Sequence, residues 1–123
     1  MYKVDEHRRL CLYKDLKEIE LWLYNLEIIN EDLNHFKTLE KQLIKSDSLA
    51  YKIKANQRSN VLLMASLCKY ENELKTELEY SKTKYDNVRV KHHMQKRKSY
   101  IDYMQSYTKF KNEVYRVLLM FKR

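Results

Sequence analysis

From Leu12 onward, apolar residues recur at Leu12, Leu16, Ile19, Leu23, Leu26, Ile29, Leu33, Phe36, Leu39 and Leu43, in steps of three and four. That is the period of a helix with one buried face. Leu21, Trp22 and Ile28 widen the stripe, so this helix is expected to cover more than one neighbour. The pattern predicts helix 1 over about residues 5–45. A polar stretch follows, with Ser46, Asp47 and Ser48, then Asn56, Gln57, Arg58, Ser59 and Asn60. These are capping and turn types. They predict a connection over about residues 46–59, in which Leu49, Tyr51 and Ile53 form a short helical turn.

A second seam runs through Met64, Leu67, Glu71, Leu74, Leu78, Ser81, Tyr85, Val88, His92, Gln95 and Ser99, and its occupants turn polar after Val88. At Tyr100 the register jumps to Tyr100, Tyr103, Tyr107, Phe110, Val114, Val117 and Phe121. Ser99 and Asp102 have the spacing of a capping box, a pattern that Thr76/Glu79 and Thr83/Asp86 repeat within segments read as helix. The reading is helix 2 over about 60–96 and helix 3 over about 100–122, broken near Lys96–Ser99. One continuous helix from about Ser59 to the C-terminus is the competing reading. The expected fold is a single all-α domain with little or no β. It is an antiparallel, coiled-coil-like helical hairpin completed by a C-terminal helix into a three-helix bundle.

Composition agrees with long helices. The 123 residues contain no glycine and no proline, where average usage would supply roughly 9 and 6. Hairpin-rich β folds lean on glycine turns. Phosphate-cradling and dinucleotide-binding loops require glycine outright, which removes the commonest nucleotide-using enzymes. No apolar run approaches the ~20 residues that span a bilayer, and no secretory signal is evident, so a cytoplasmic location with a reduced Cys11 and Cys68 is expected.

The formal net charge of +8 is uneven, with 11 Lys/Arg against 10 Asp/Glu in residues 1–60 and 14 against 7 in residues 61–123. Part of the basic half is expected to meet acids of helix 1, with Glu20 opposite Arg89, Glu27 opposite Lys82 and Asp15 opposite Lys91. That register centres the hairpin near residue 54. Arg89, Lys91, His92, His93, Lys96, Arg97 and Lys98 still form a run without acids between Asp86 and Asp102. It reads first as a solvated basic helix end and second as a patch for an anionic partner. Nothing marks sequence-specific nucleic-acid reading, so such binding would be salt-sensitive and made through phosphates.

The apolar face Tyr107, Phe110, Val114, Val117, Leu118 and Phe121 either completes the bundle or, if the chain runs straight, awaits a second copy. Of the eleven tyrosines, Tyr85, Tyr100, Tyr103 and Tyr107 fit as seam residues with edge-reaching hydroxyls. Chemistry is scarce. Asp32-x-x-His35 is a lone D-x-x-H, short of the paired motifs of helical dimetal sites. No catalytic, cofactor-binding or metal-ligating residue is expected. The sequence therefore favours a non-enzymatic helical protein–protein interaction or scaffold module that self-associates. The alternative is a small basic protein binding nucleic acid non-specifically, and a membrane partner is not expected.

Overall fold

The computed structural model describes residues 2–80 and 84–121. Three helices account for nearly all of them: α1 (Tyr2–Leu39), α2 (Asp47–Tyr80) and α3 (Asn87–Met120), with no strand among the described residues. A single π-helical turn, Glu40–Ile44, prolongs α1. The helices run up, down and up. Arg8 meets Glu77, Leu26 meets Asn60 and Asn34 meets Gln57, so α1 and α2 are antiparallel. Tyr70 meets His93, Asn60 meets Tyr103 and Lys52 meets Glu113, so α2 and α3 are antiparallel too. This is the all-α three-helix bundle that the periodicity predicts.

The seam of α1 is the one read from the sequence. Leu12, Ile19, Leu26 and Leu33 recur every seven residues and are essentially inaccessible, as are Trp22, Ile29 and Phe36 on the adjoining row. Burying each contributes about 1.5–3 kcal/mol before entropy is counted. Leu21 and Ile28 do not belong to the stripe; they point outward, 57% and 41% exposed. Aromatic side chains dominate the inner face of α3, where Tyr100, Tyr103, Tyr107 and Phe110 are buried. Their bulk holds its axis farther from α1 than α2 lies.

Helix boundaries differ from expectation at both turns. The first connection is two residues, Lys45 and Ser46, rather than a segment over 46–59. Lys45 takes a left-handed conformation (φ 53°, ψ 51°) and its N–H returns to the Glu40 carbonyl at 2.6 Å. The Ser46 hydroxyl then accepts the Leu49 N–H at 3.3 Å and starts α2. Asn56, Gln57 and Asn60 look like loop residues but serve helix contacts. Asn60 is wholly buried and donates to the Leu26 carbonyl and the Tyr103 hydroxyl, and Gln57 donates to Asn34.

The second turn precedes α3. Asp86, read as helix interior, caps that helix by accepting the Arg89 N–H at 3.2 Å, and Thr83 lies outside the described residues. Lys96–Ser99, the expected break, lies in the middle of α3. The apparent register jump vanishes once the Tyr100 seam is extended backward by threes and fours to Lys96 and His93. His92, Gln95 and Ser99 simply face solvent.

These turns shift the pairing. Arg89 bonds Glu77 across the α2–α3 turn instead of Glu20, and Asp15 meets Tyr85 and His93 instead of Lys91. The Glu27–Lys82 pair includes a residue outside those described. Electrostatic matching of exposed flanks is worth too little per pair to set a register against core packing.

Lys45 bears the one positive φ among the described residues. A residue with a Cβ in this region costs about 1–2 kcal/mol, which glycine avoids at some entropic cost in the unfolded chain. Lys45→Gly should therefore stabilise the protein by about 1 kcal/mol, read as a higher urea midpoint with an unchanged slope. A lower midpoint would show that the Lys45 side chain supports the turn.

Candidate functional site

At the end of the bundle away from the first connection, the core turns polar. Asp15 and Glu18 stand one turn apart on α1, Tyr70 and Glu77 come from α2, and Tyr85, Arg89, His93 and Arg97 come from α3 or its approach. His93 is at the centre, 3% exposed, because it continues the α3 seam inward from Tyr100. Its Nε2 lies 2.6 Å from Glu18 Oε1 and 3.5 Å from Asp15 Oδ1. Carboxylates only accept, so Nε2 carries a proton, and Nδ1 shares a 2.7 Å hydrogen bond with the Tyr70 hydroxyl. Trp22 stacks on the imidazole at 5.3 Å and, on its other face, on Tyr100 at 5.3 Å. The ring is thus fixed in plane and in tilt.

Each acid around it has a further partner. Arg97 grips Glu18 with two hydrogen bonds, Nε to Oε2 at 2.9 Å and Nη2 to Oε1 at 2.7 Å. Burial opposes ionisation of Glu18, yet the hydrogen bonds from Arg97 and His93 outweigh it, and its pKa falls below the ordinary carboxylate value. The bond to Glu18 raises the pKa of Arg97 in turn. Asp15 is buried and accepts the Tyr85 hydroxyl. Burial first, then neighbouring carboxylates, push the Tyr70 and Tyr85 hydroxyls well above the usual phenol range. Ligand atoms of Asp15, Glu18 and His93 all lie within 4.8 Å of one another, a grouping among the described residues with the donors to hold a cation. A cleft of about 230 Å³ between α1 and α3, lined by Cys11, Lys14, Asp15, Tyr85, His93 and Arg97 among others, opens onto them.

The basic run from Arg89 to Lys98 is divided by the helix period. Arg89, His93 and Arg97 turn inward to Glu77, Glu18 and Asp15. His93, being buried, cannot belong to a surface patch. Lys96 is half-buried, donating to Ser66 at 3.0 Å with its ammonium 5.8 Å from the centre of the Tyr70 ring. Lys91, His92 and Lys98 remain outward, His92 with its ring edge-on to Tyr70.

The candidate oligomer face is consumed by folding. Tyr107, Phe110 and Val114 are buried, Val117 and Leu118 are half-buried, and Phe121 alone of the six is exposed. Asp32 accepts the Tyr107 hydroxyl at 3.2 Å and His35 is exposed, so the D-x-x-H pair does not converge. Cys11 and Cys68 are free; Cys11 Sγ lies 3.6 Å from His7 Nε2, one turn back on α1.

Asp15, Glu18 and His93 escaped the sequence reading because their meeting depends on the α1–α3 register. The one signal available was seven-residue spacing: Glu18, Asn25 and Asp32 on α1 meet His93, Tyr100 and Tyr107 on α3, each pair 75 residues apart.

The perturbed groups define a stability profile. Tyr70, Tyr85 and Tyr107 have raised folded-state pKa values, so their contribution is complete below the unfolded phenol value near 10 and is lost as pH rises beyond it. For Glu18 the folded value is lowered; its contribution is present at neutral pH and is lost as pH falls through the acid range. Urea midpoints should fall at both extremes, and Glu18→Gln should flatten the acid limb alone. Above pH 10 the phenolate absorbance of the buried tyrosines should appear together with loss of helicity. Ionisation ahead of unfolding would show these hydroxyls to be solvent-accessible.

No helix among the described residues is long and apolar enough to cross a membrane. No family model, curated protein or solved structure matches this chain.

Proposed function

We propose that the protein is a non-enzymatic helical interaction module that associates with a second copy of itself. The observation carrying this reading is an apolar strip left outside the bundle. Leu21, Tyr24 and Ile28 on α1 are 57%, 61% and 41% exposed, and Met94 and Ile101 on α3 are 56% and 43% exposed. The register of the Glu18–His93 and Asn25–Tyr100 pairs sets these residues along the two lips of the α1–α3 groove. Scattered apolar residues are ordinary on a surface, but an aligned strip invites a helix from another chain.

The flanks indicate which chain. The outer face of α1 carries the exposed acids Glu20, Glu27 and Glu31 beside exposed Lys14 and Lys17, whereas the outer face of α3 carries exposed Lys91, Lys98 and Lys109 with Asp102. Two copies related by a twofold axis would lay the α1 lip of one on the α3 lip of the other, matching acid to base twice. Glu20, Glu27 and Lys91, assigned from the sequence to an intramolecular register, become the charges of an intermolecular one.

Phosphate binding is the second reading, and it rests on the outward Lys91 and Lys98 with the formal charge of +8.

Sedimentation equilibrium over a concentration series should show a monomer–dimer transition. The double variant Leu21→Lys, Ile101→Lys, which sets like charges on facing lips, should raise the dissociation constant at least tenfold with helicity intact. A chain that stays monomeric at every concentration defeats the proposal. Retention on DNA at low salt that Lys91→Glu and Lys98→Glu abolish would move the reading to phosphate binding.

A further inference from the structure

We propose that Asp15, Glu18 and His93 form a binding site for a first-row divalent cation, with Zn²⁺ the preferred ion. The donor set is one imidazole nitrogen and two carboxylate oxygens, brought from two helices to within 4.8 Å of one another. Such a set suits zinc and its neighbours, whereas magnesium demands near-octahedral oxygen coordination. Asp15 and His93 are buried and Glu18 is half-buried, so the cation would exchange water for protein ligands over most of its surface.

The residues behind the ligands have the form of a supporting shell. A metal-bound imidazole keeps its remaining proton on the other nitrogen and donates it to a fixed acceptor. With a cation on Nε2, the His93 proton sits on Nδ1, where the Tyr70 oxygen lies 2.7 Å away. Tyr85 anchors Asp15 through Oδ2 and leaves Oδ1 toward the imidazole. Trp22 locks the ring plane. The cleft of about 230 Å³ lined by Asp15, His93 and Arg97 supplies the way in.

Arg97 is the competing cation, and its placement allows coexistence. Its Nε holds Glu18 Oε2 and can stay there, whereas its Nη2 shares Oε1 with His93, so a metal taking Oε1 displaces that second bond. Two carboxylates and one guanidinium leave a single negative charge when the imidazole is neutral, which a divalent ion more than offsets. With its side chain 38% exposed, Arg97 can also relax toward solvent as the ion enters. Its charge therefore weakens the site without filling it. That separates a cation site from a purely structural ion-pair network, in which removing Arg97 only destabilises the fold.

The test is Zn²⁺ titration of the full chain against a chromophoric chelator, with melting temperature and imidazole NMR followed in parallel. One ion per chain should bind and raise the melting temperature. It should also shift the resonances of buried His93 while those of exposed His35 stay in place. His93→Gln and Glu18→Gln should each abolish the tight site. Tyr70→Phe should weaken it by about 10–100-fold, and Arg97→Gln should tighten it by roughly tenfold. Cys11→Ser and His7→Ala should leave it unchanged. Binding lost on Cys11→Ser would place the ion on the surface His7–Cys11 pair and overturn the proposal. So would the absence of saturable binding at one equivalent, or His93 resonances that do not move in the wild-type chain. The NMR readout needs no variant, so a poorly folding substitution does not spare the proposal.

Discussion

The register between α1 and α3 is the constraint on which the rest of the bundle depends. These two helices run parallel and have no direct connection; the whole of α2 separates them in the chain. Apolar rows alone would tolerate slippage, because a repeat of seven presents much the same face after one repeat. Three polar pairs remove that freedom. Glu18 binds His93, Asn25 binds the Tyr100 hydroxyl and Asp32 binds the Tyr107 hydroxyl, all at one offset of 75 residues. A slip by one repeat would oppose Glu18 to Tyr100 and leave His93 and its partners buried without bonds. Each such orphan costs about 1–3 kcal/mol. Trp22 reinforces the choice by filling the space between His93 and Tyr100.

The same logic accounts for five of the eleven tyrosines. Tyr70, Tyr85, Tyr100, Tyr103 and Tyr107 reach His93, Asp15, Asn25, Asn60 and Asp32 in turn, each partner lying on a different element, with Tyr85 in the turn before α3. A ring fills the wide gap that holds α3 off its neighbours, and the hydroxyl at its rim finds a partner that a leucine could not. Phenylalanine would pack nearly as well while specifying less. Asn60 plays the corresponding part from α2, joining the Leu26 carbonyl to Tyr103 in the middle of the core.

Three helices and the buried face of α1 were legible because they depend on local periodicity, which every turn of the helix repeats. The turns were not. A left-handed residue is normally advertised by glycine, and this chain puts Lys45 there. Gln57 and Asn60 carry loop-type side chains whose partners lie on other helices, and Asn56 bonds back to the Lys52 carbonyl within α2, so their local chemistry points the wrong way. His93 was hidden for a related reason: among Lys91, His92, Lys96 and Lys98 it looks like one more surface cation, and only the α3 seam extended back from Tyr100 turns it inward. The polar cluster needed the register, and the register needed the turns. Misplaced connections therefore displaced the expected Glu20–Arg89 and Asp15–Lys91 pairs, while the number of helices stood.

Charge shows how internal pairing shapes the outer surface. The basic excess of the C-terminal half would make α3 uniformly cationic if each side chain faced solvent. Instead Arg89 and Arg97, four residues either side of His93, turn onto Glu77 and Glu18. Arginine suits those half-buried positions because its planar fork satisfies a carboxylate with two bonds and is more weakly hydrated than an ammonium. The lysines at 91 and 98 fall on the opposite side of the helix and stay hydrated. Glu20, Glu27 and Glu31, which meet no arginine among the described residues, remain on the outer face of α1, Glu20 beside Lys17. The bundle thus places Arg89 and Arg97 with their acids at its polar end, while α3 keeps Lys91, Lys98 and Lys109 outside and α1 exposes both glutamates and the lysines Lys14 and Lys17. The surface asymmetry that an interacting partner would meet is the remainder of a pairing settled within the fold.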